Sequence, residues 1–379
     1  MSIDATADSR WSDAYLDQMR AVGDPPADEV IARLFSSRGF DAARELLATL
    51  ISNRQSVPAE LPADLKAYLD TTTRVAALEP QAVQTGQLVF AKYGPEILLL
   101  FAFYSLPASY AARKGVQVLY RTGYLNHRPN HRVFETAQMV IDIFTPGGLD
   151  PLGRGVRSAQ KVRLMHAAIR FLLRHDPQNP WPAELGTPIN QEDLAGTLMV
   201  FVPLVIEGLI RMGLDVTAQE QQAYLDTWSV VARIMGVRDE LIPTDPHGAA
   251  LLCGRIQQRQ IEICPEGKAM VDALLETMIR KFPPGHSRRW PAALMRHFLP
   301  VEVADGFGLP SYPVMEFRLN LRAALTRWTF PVLERFDQRP WRRFLMRVVD
   351  SVILQELHDR RPDFKLPTSL HASWQRVGG

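Results

Sequence analysis

Cysteine is scarce in this sequence: 379 residues contain only Cys253 and Cys264, with no CxxC pair. That excludes a disulfide scaffold or a zinc ribbon and fits a reducing compartment. An excess of one charge is also missing, because 43 Lys and Arg stand against 41 Asp and Glu, a net +2. Bulk charge therefore offers no general attraction to nucleic acid or to an anionic membrane. Long apolar runs are absent as well. The longest, Ile97 to Tyr104 and Leu198 to Ile206, fall short of the ~20 residues a spanning helix needs and read as buried core rather than as transmembrane segments. The opening stretch Met1 to Tyr15 has neither a secretory pattern nor a twin-arginine pair, so the expected location is the cytoplasm.

Several chemical signatures are missing too. There is no GxSxG, HExxH or calcium loop, which removes sequence support for serine hydrolases, zincins and EF-hands. Gly148 and Gly153 begin a phosphate-loop spacing, but Arg154-Gly155 stands where Lys-Ser/Thr is required. Gly153-Arg-Gly155 lacks the third glycine of a dinucleotide fingerprint and reads as a flexible turn. His127 and His131 are four apart, yet Pro129 between them breaks the helical face a metal pair would need.

What is present is helix. Residues are 46% hydrophobic, enough for a large core. Apolar positions recur at i, i+3, i+4 and i+7 over Ala43 to Leu50, Thr136 to Phe144, Val162 to Leu173, Gln221 to Met235 and Phe344 to Leu357. Asn190 to Asp193 and Thr217 to Glu220 carry helix-start signals, Gly213 and Gly236 stop signals. Prolines, among them Pro80, Pro95, Pro107, Pro129 and Pro265, divide the rest into on the order of a dozen helices. The pattern predicts an all-α chain with no strand alternation.

Two segments carry candidate chemistry. In the first, Arg163, His166 and Arg170 recur at −3 and +4 spacing and share one side of a helix. Buried guanidinium groups need anionic partners, and heme propionates qualify; neutral imidazole is a standard axial ligand of heme iron, and Ala167 and Ala168 leave room beside it. The competing interpretation is a hydrogen-bonded core histidine flanked by surface arginines. In the second segment, Arg132, Glu135 and Thr136 place cation, carboxylate and hydroxyl on one turn. They suit either hydrogen bonding to dioxygen with Glu135 as a base, or a solvated ion-pair face.

With Pro188 to Thr197 and Tyr224 to Val237, these segments resemble the MpaB and rubber-oxygenase family, of which latex clearing protein is a member, from about Tyr110 to about Phe298. The resemblance implies an all-α, globin-like core that holds heme b. It implies His166 as proximal iron ligand, Arg163 and Arg170 as heme-supporting arginines with Arg296 as a further one, and Arg132 with Thr136 on the distal side. It divides a single all-α domain of 1–379 into an N-terminal helical extension (1–106), a heme-binding catalytic core (107–298) and a C-terminal extension (299–379). There are departures. Glu135 stands where latex clearing proteins carry a lysine that closes the sixth iron position, and Gly115-Val-Gln-Val118 stands where they carry a carboxylate. The implied activity is a heme oxygenase that uses dioxygen on an alkene in a hydrophobic small molecule, in a pocket with walls such as Phe134, Met139 and Leu198. Peroxidase-like oxidation and a non-enzymatic heme carrier or sensor are the alternatives.

Overall fold

The computed structural model describes residues 9–51, 62–76, 80–122, 129–282, 288–333 and 347. The first helices are α1 (Asp13–Ala21), α2 (Pro25–Arg38), α3 (Phe40–Ile51), α4 (Ala63–Ala76), α5 (Pro80–Leu100), α6 (Leu106–Tyr110) and α7 (Arg113–Arg121). There follow α8 (Pro129–Phe144), α9 (Arg154–Arg174), α10 (Gln191–Phe201), α11 (Pro203–Arg211), α12 (Ala218–Ile234) and α13 (Pro246–Gln260). The last are α14 (Pro265–Lys281), α15 (Trp290–Phe298), α16 (Val301–Gly306) and α17 (Pro313–Leu333). Among the described residues the extended pairing is a single isolated bridge, Ala112 with Ile261, so the fold is all-α.

Proline explains many of the helix starts. α2, α5, α8, α11, α13, α14 and α17 all open on it, where its fixed φ suits the first turn and its missing N–H has no partner to lose. Two expected breaks do not occur. Pro95 lies inside α5, held there by burial of its neighbours Tyr93 and Ile97. Pro107 sits at the start of α6, directly after a π turn over Phe101–Ser105 in which the Leu106 N–H reaches back to the Phe101 carbonyl. The wider turn absorbs the donor that proline lacks. The cap signals are realised: Asn190 accepts from the Asp193 N–H, Thr217 and Glu220 form a reciprocal capping box, and Gly213 and Gly236 adopt φ of 83° and 82°.

The centre of the molecule is α9, packed by α8, α2, α12, α3 and α4 and buried along most of its length. Its corner with α8 is tight rather than flexible. A Cβ on Gly148 would lie 2.0 Å from the Asp142 carbonyl oxygen, and one on Gly155 would lie 2.6 Å from the Ile143 Cα. The glycines are there for close approach of two backbones. Asp142 fixes the same corner by accepting from Gln138 and Ser158 at 2.9 and 3.0 Å.

Two helical stretches are longer and more apolar than the uninterrupted runs indicate. Gln81–Tyr110 spans 30 residues and Gln191–Arg211 spans 21, enough by length and composition to cross a membrane. Polar residues break up the apolar runs without ending the helices. Their apolar windows are 72% and 61% buried within the protein, as core helices are.

Candidate active site

One cavity of about 290 Å³ opens against α9. α8 brings Val133, Glu135, Thr136 and Met139 to it, and α9 brings Val162, Met165, His166 and Ile169. The π turn and α6 supply Ser105, Leu106, Ser109 and Tyr110, and α7 supplies Gly115, Val116, Val118 and Leu119. α10 and α12 close the wall, with Asp193, Leu198 and Phe201 from one and Trp228, Val231 and Met235 from the other. The wall is mostly apolar with a few convergent polar groups, the usual character of a small-molecule site.

The spacing of the polar groups follows from helix geometry. Glu135 and Thr136 are neighbours on α8, and Met139 lies one turn later on the same side. Glu135 is buried and Thr136 half-buried. His166 is flanked on its own side of α9 by Val162 and Ile169, the i−4 and i+3 positions. Ala167 and Ala168 do not open onto the cavity as the sequence suggested; they are fully buried against neighbouring helices. Of the expected apolar walls, Met139 and Leu198 are present, while Phe134 is buried outside the cavity with Lys281 over its ring. Arg132 lies in the first turns of α8, but its side chain, like that of His131, is outside the described residues, as is all of His127.

The three arginines expected to support heme take other partners. None of Arg163, Arg170 and Arg296 lines the cavity. At roughly 100° per residue, positions −3 and +4 fall within about 60° of His166 on the same side, so Arg163 and Arg170 share a stripe that faces α2 while the imidazole faces the cavity. Arg163 donates to both carboxylate oxygens of Asp24 at 2.6 and 2.7 Å and to the Ile234 carbonyl at 3.1 Å, with Tyr68 beneath its guanidinium. Arg170, which is 1% exposed, pairs with Asp28 and donates to the Pro188 and Ile189 carbonyls at 2.9 and 2.8 Å. Burial pushes the Asp28 carboxyl above the usual carboxylate range, against the opposing pull of Arg170. Arg296 is spent on the corner of α15 with α16 and α17, through Asp305, the Leu309 carbonyl and Glu316.

A second charge cluster borders the cavity and has no counterpart in the sequence reading. Arg20 of α1 bridges Glu192 and Asp193 at 3.2 and 3.0 Å, and Arg259 of α13 reaches Glu192 at 2.8 Å. Burial raises the Asp193 carboxyl and Arg20 opposes that shift. The acids were visible only as a helix start; their cation lies 172 residues away, beyond any local pattern. The positioning acids were equally hidden, Asp24 at the N-cap of α2 and Asp28 in its first turn.

Among the described residues, no three His, Cys, Asp or Glu side chains form a site for a bare metal ion. The donors on this largely apolar wall are one imidazole, His166, and the carboxylates of Glu135 and Asp193. Such a set suits a flat group that brings its own equatorial ligands and takes one axial nitrogen from the protein.

Residues 89–328 match the family described as ER-bound oxygenase mpaB/B'/Rubber oxygenase, catalytic domain. The chain is 30% identical over 326 residues to the rubber oxygenase of Streptomyces sp. (strain K30), covering 84% of this chain and 76% of that relative. Among solved structures it is similar to latex clearing protein LCP in the closed state. The TM-score is 0.76 at 27% identity, over 92% of this chain and 94% of that one.

Proposed function

The chain belongs to the family of MpaB-type oxygenases and rubber oxygenases, and from that membership we propose a heme b-dependent oxygenase that uses dioxygen to oxidise or cleave an alkene in a hydrophobic small molecule. The observation that carries the reading is the meeting of His166, Glu135 and Thr136 in one largely apolar cavity. His166 would hold the heme through its imidazole, and Arg163 and Arg170 would act indirectly, by fixing α9 against α2 through Asp24 and Asp28. When bound, heme supplies the redox centre that dioxygen chemistry requires. The Thr136 hydroxyl would donate a hydrogen bond to dioxygen in the cavity. Arg132, one turn earlier on α8, takes from the family resemblance the role of orienting dioxygen. Glu135, buried beside Thr136 on the cavity wall, is placed to take a proton from the substrate. The apolar walls from α7, α10 and α12 keep bulk water from the reacting atoms and select a hydrophobic chain.

The test is dioxygen uptake coupled to carbonyl product formation from a short isoprenoid alkene. Wild type should consume dioxygen in step with product; Glu135→Gln should lower the rate by about a hundredfold or more, the range for loss of a general base. Thr136→Val should lower it by about tenfold, as expected for one lost hydrogen bond. Glu135 also favours a second reading, peroxidase-like oxidation with the carboxylate moving the peroxide proton. Product that requires peroxide and consumes no dioxygen would establish that instead.

A further inference from the structure

Ile189 is the one non-glycine among the described residues with positive φ, at 52°. A β-branched residue is disfavoured there and persists only where its surroundings over-determine it. The surroundings do so. Arg170 donates to the carbonyls of both Pro188 and Ile189 and is itself anchored by Asp28. Before Ile189, the Thr187 N–H donates to the Arg20 carbonyl and its hydroxyl to the Ala21 carbonyl, each at 2.9 Å. After it, the Gln191 N–H donates to the Val22 carbonyl at 2.9 Å, and the Asn190 amide returns to the Thr187 carbonyl. The residue held this way lines the cavity, as do His166 and Ile169 of α9.

We propose that Ile189 is a specificity-determining residue, a rigid ledge that limits the width of the cavity to a narrow, open apolar chain and excludes rings, and that Arg170 is the positioning residue that holds it. An ordinary loop would yield to a wider ligand. This one is tied on both sides to the end of α1, and its strained conformation is fixed from beneath by a buried guanidinium, so its wall does not yield. The inference rests on the reading of the cavity as the substrate site and goes beyond it, by setting the shape of the substrate and giving Arg170 a task that does not involve the heme carboxylates.

The experiment is isothermal titration of the purified protein with 1-octanol, a narrow chain, and cyclooctanol, a ring of equal carbon number. Wild type should favour 1-octanol by about tenfold or more, the scale on which apolar pockets discriminate shape. Ile189→Ala and Ile189→Gly should reduce that preference to about threefold or less by admitting the ring. Ile189→Gly should also melt no lower than Ile189→Ala, because glycine adopts positive φ without strain. Arg170→Lys keeps a charge for Asp28 but cannot span two carbonyls, and it should lose the preference in the same direction. If Arg170→Lys does not fold, the Ile189 pair decides. A wild type that binds both alcohols equally, or an Ile189→Ala that keeps the wild-type preference, overturns the proposal alone. A wild type that binds neither overturns the reading of the cavity and this proposal with it.

Discussion

Arg163 and Arg170 are buried cations held by the carboxylates of Asp24 and Asp28. The −3 and +4 arginines around His166 stood out in the sequence, and the requirement that buried guanidinium find an anion was sound. The anions are Asp24 and Asp28, more than a hundred residues upstream, and no helical spacing points to them. Asp24→Asn should leave Arg163 buried without its counter-charge and lower stability by about 3–5 kcal/mol, read from urea unfolding. Removing both charges together, as Asp24→Leu with Arg163→Met, should recover much of that loss. His297 makes a separate prediction. Burial, with Arg211 nearby, pushes its imidazole down to about 4 from the ordinary 6.5. Between those values the unfolded chain binds a proton that the folded chain refuses, so stability falls as pH drops from 6.5 towards 4 and the contribution is complete above that window. His297→Gln should flatten that part of the pH dependence of the melting temperature, and an unchanged slope would show that another group carries it.

Among helices, the sequence was most readable where chemistry is local. The Thr217 capping box, the Asn190 cap and the glycine stops at 213 and 236 all stand where the pattern placed them, because each is set by residues within one turn. Pro95 and Pro107 failed as breaks because tertiary burial and a π turn override local preference, and neither is encoded within one turn. The glycine-rich corner between α8 and α9 looked flexible and is tightly packed. Gly155→Ala, with a Cβ 2.6 Å from the Ile143 Cα, should force the two helices apart and cost about 1–3 kcal/mol. Gly254→Ala in α13, where nothing lies within 4 Å of the added carbon, should instead gain about 0.5–1 kcal/mol. Thermal unfolding of the two variants should move in opposite directions, and a common direction would contradict this account of the corner.

At the scale of the molecule, the all-α class was readable from the periodicity of the chain, whereas the placing of a His166 helix opposite a Glu135–Thr136 helix came from the family resemblance. The cavity itself was not readable from periodicity. Its walls come from the π turn, α6, α7, α10 and α12, and the loop that carries Ile189 is shaped by contacts to the end of α1. Such a site is the sum of long-range pairings, which sequence spacing does not record. The buried cations Arg20, Arg163 and Arg170 are matched with acids distant in sequence, and those ion pairs hold the N-terminal helices against α9 and α10. On the reading proposed above, His166 presents its imidazole to heme in this cavity, and the absorption spectrum of the purified protein after heme reconstitution, beside His166→Ala, checks it. Wild type should show a Soret band that is lost or displaced in His166→Ala while the helical circular dichroism is kept. A wild type without a Soret band, or a His166→Ala variant with the wild-type spectrum, would contradict it.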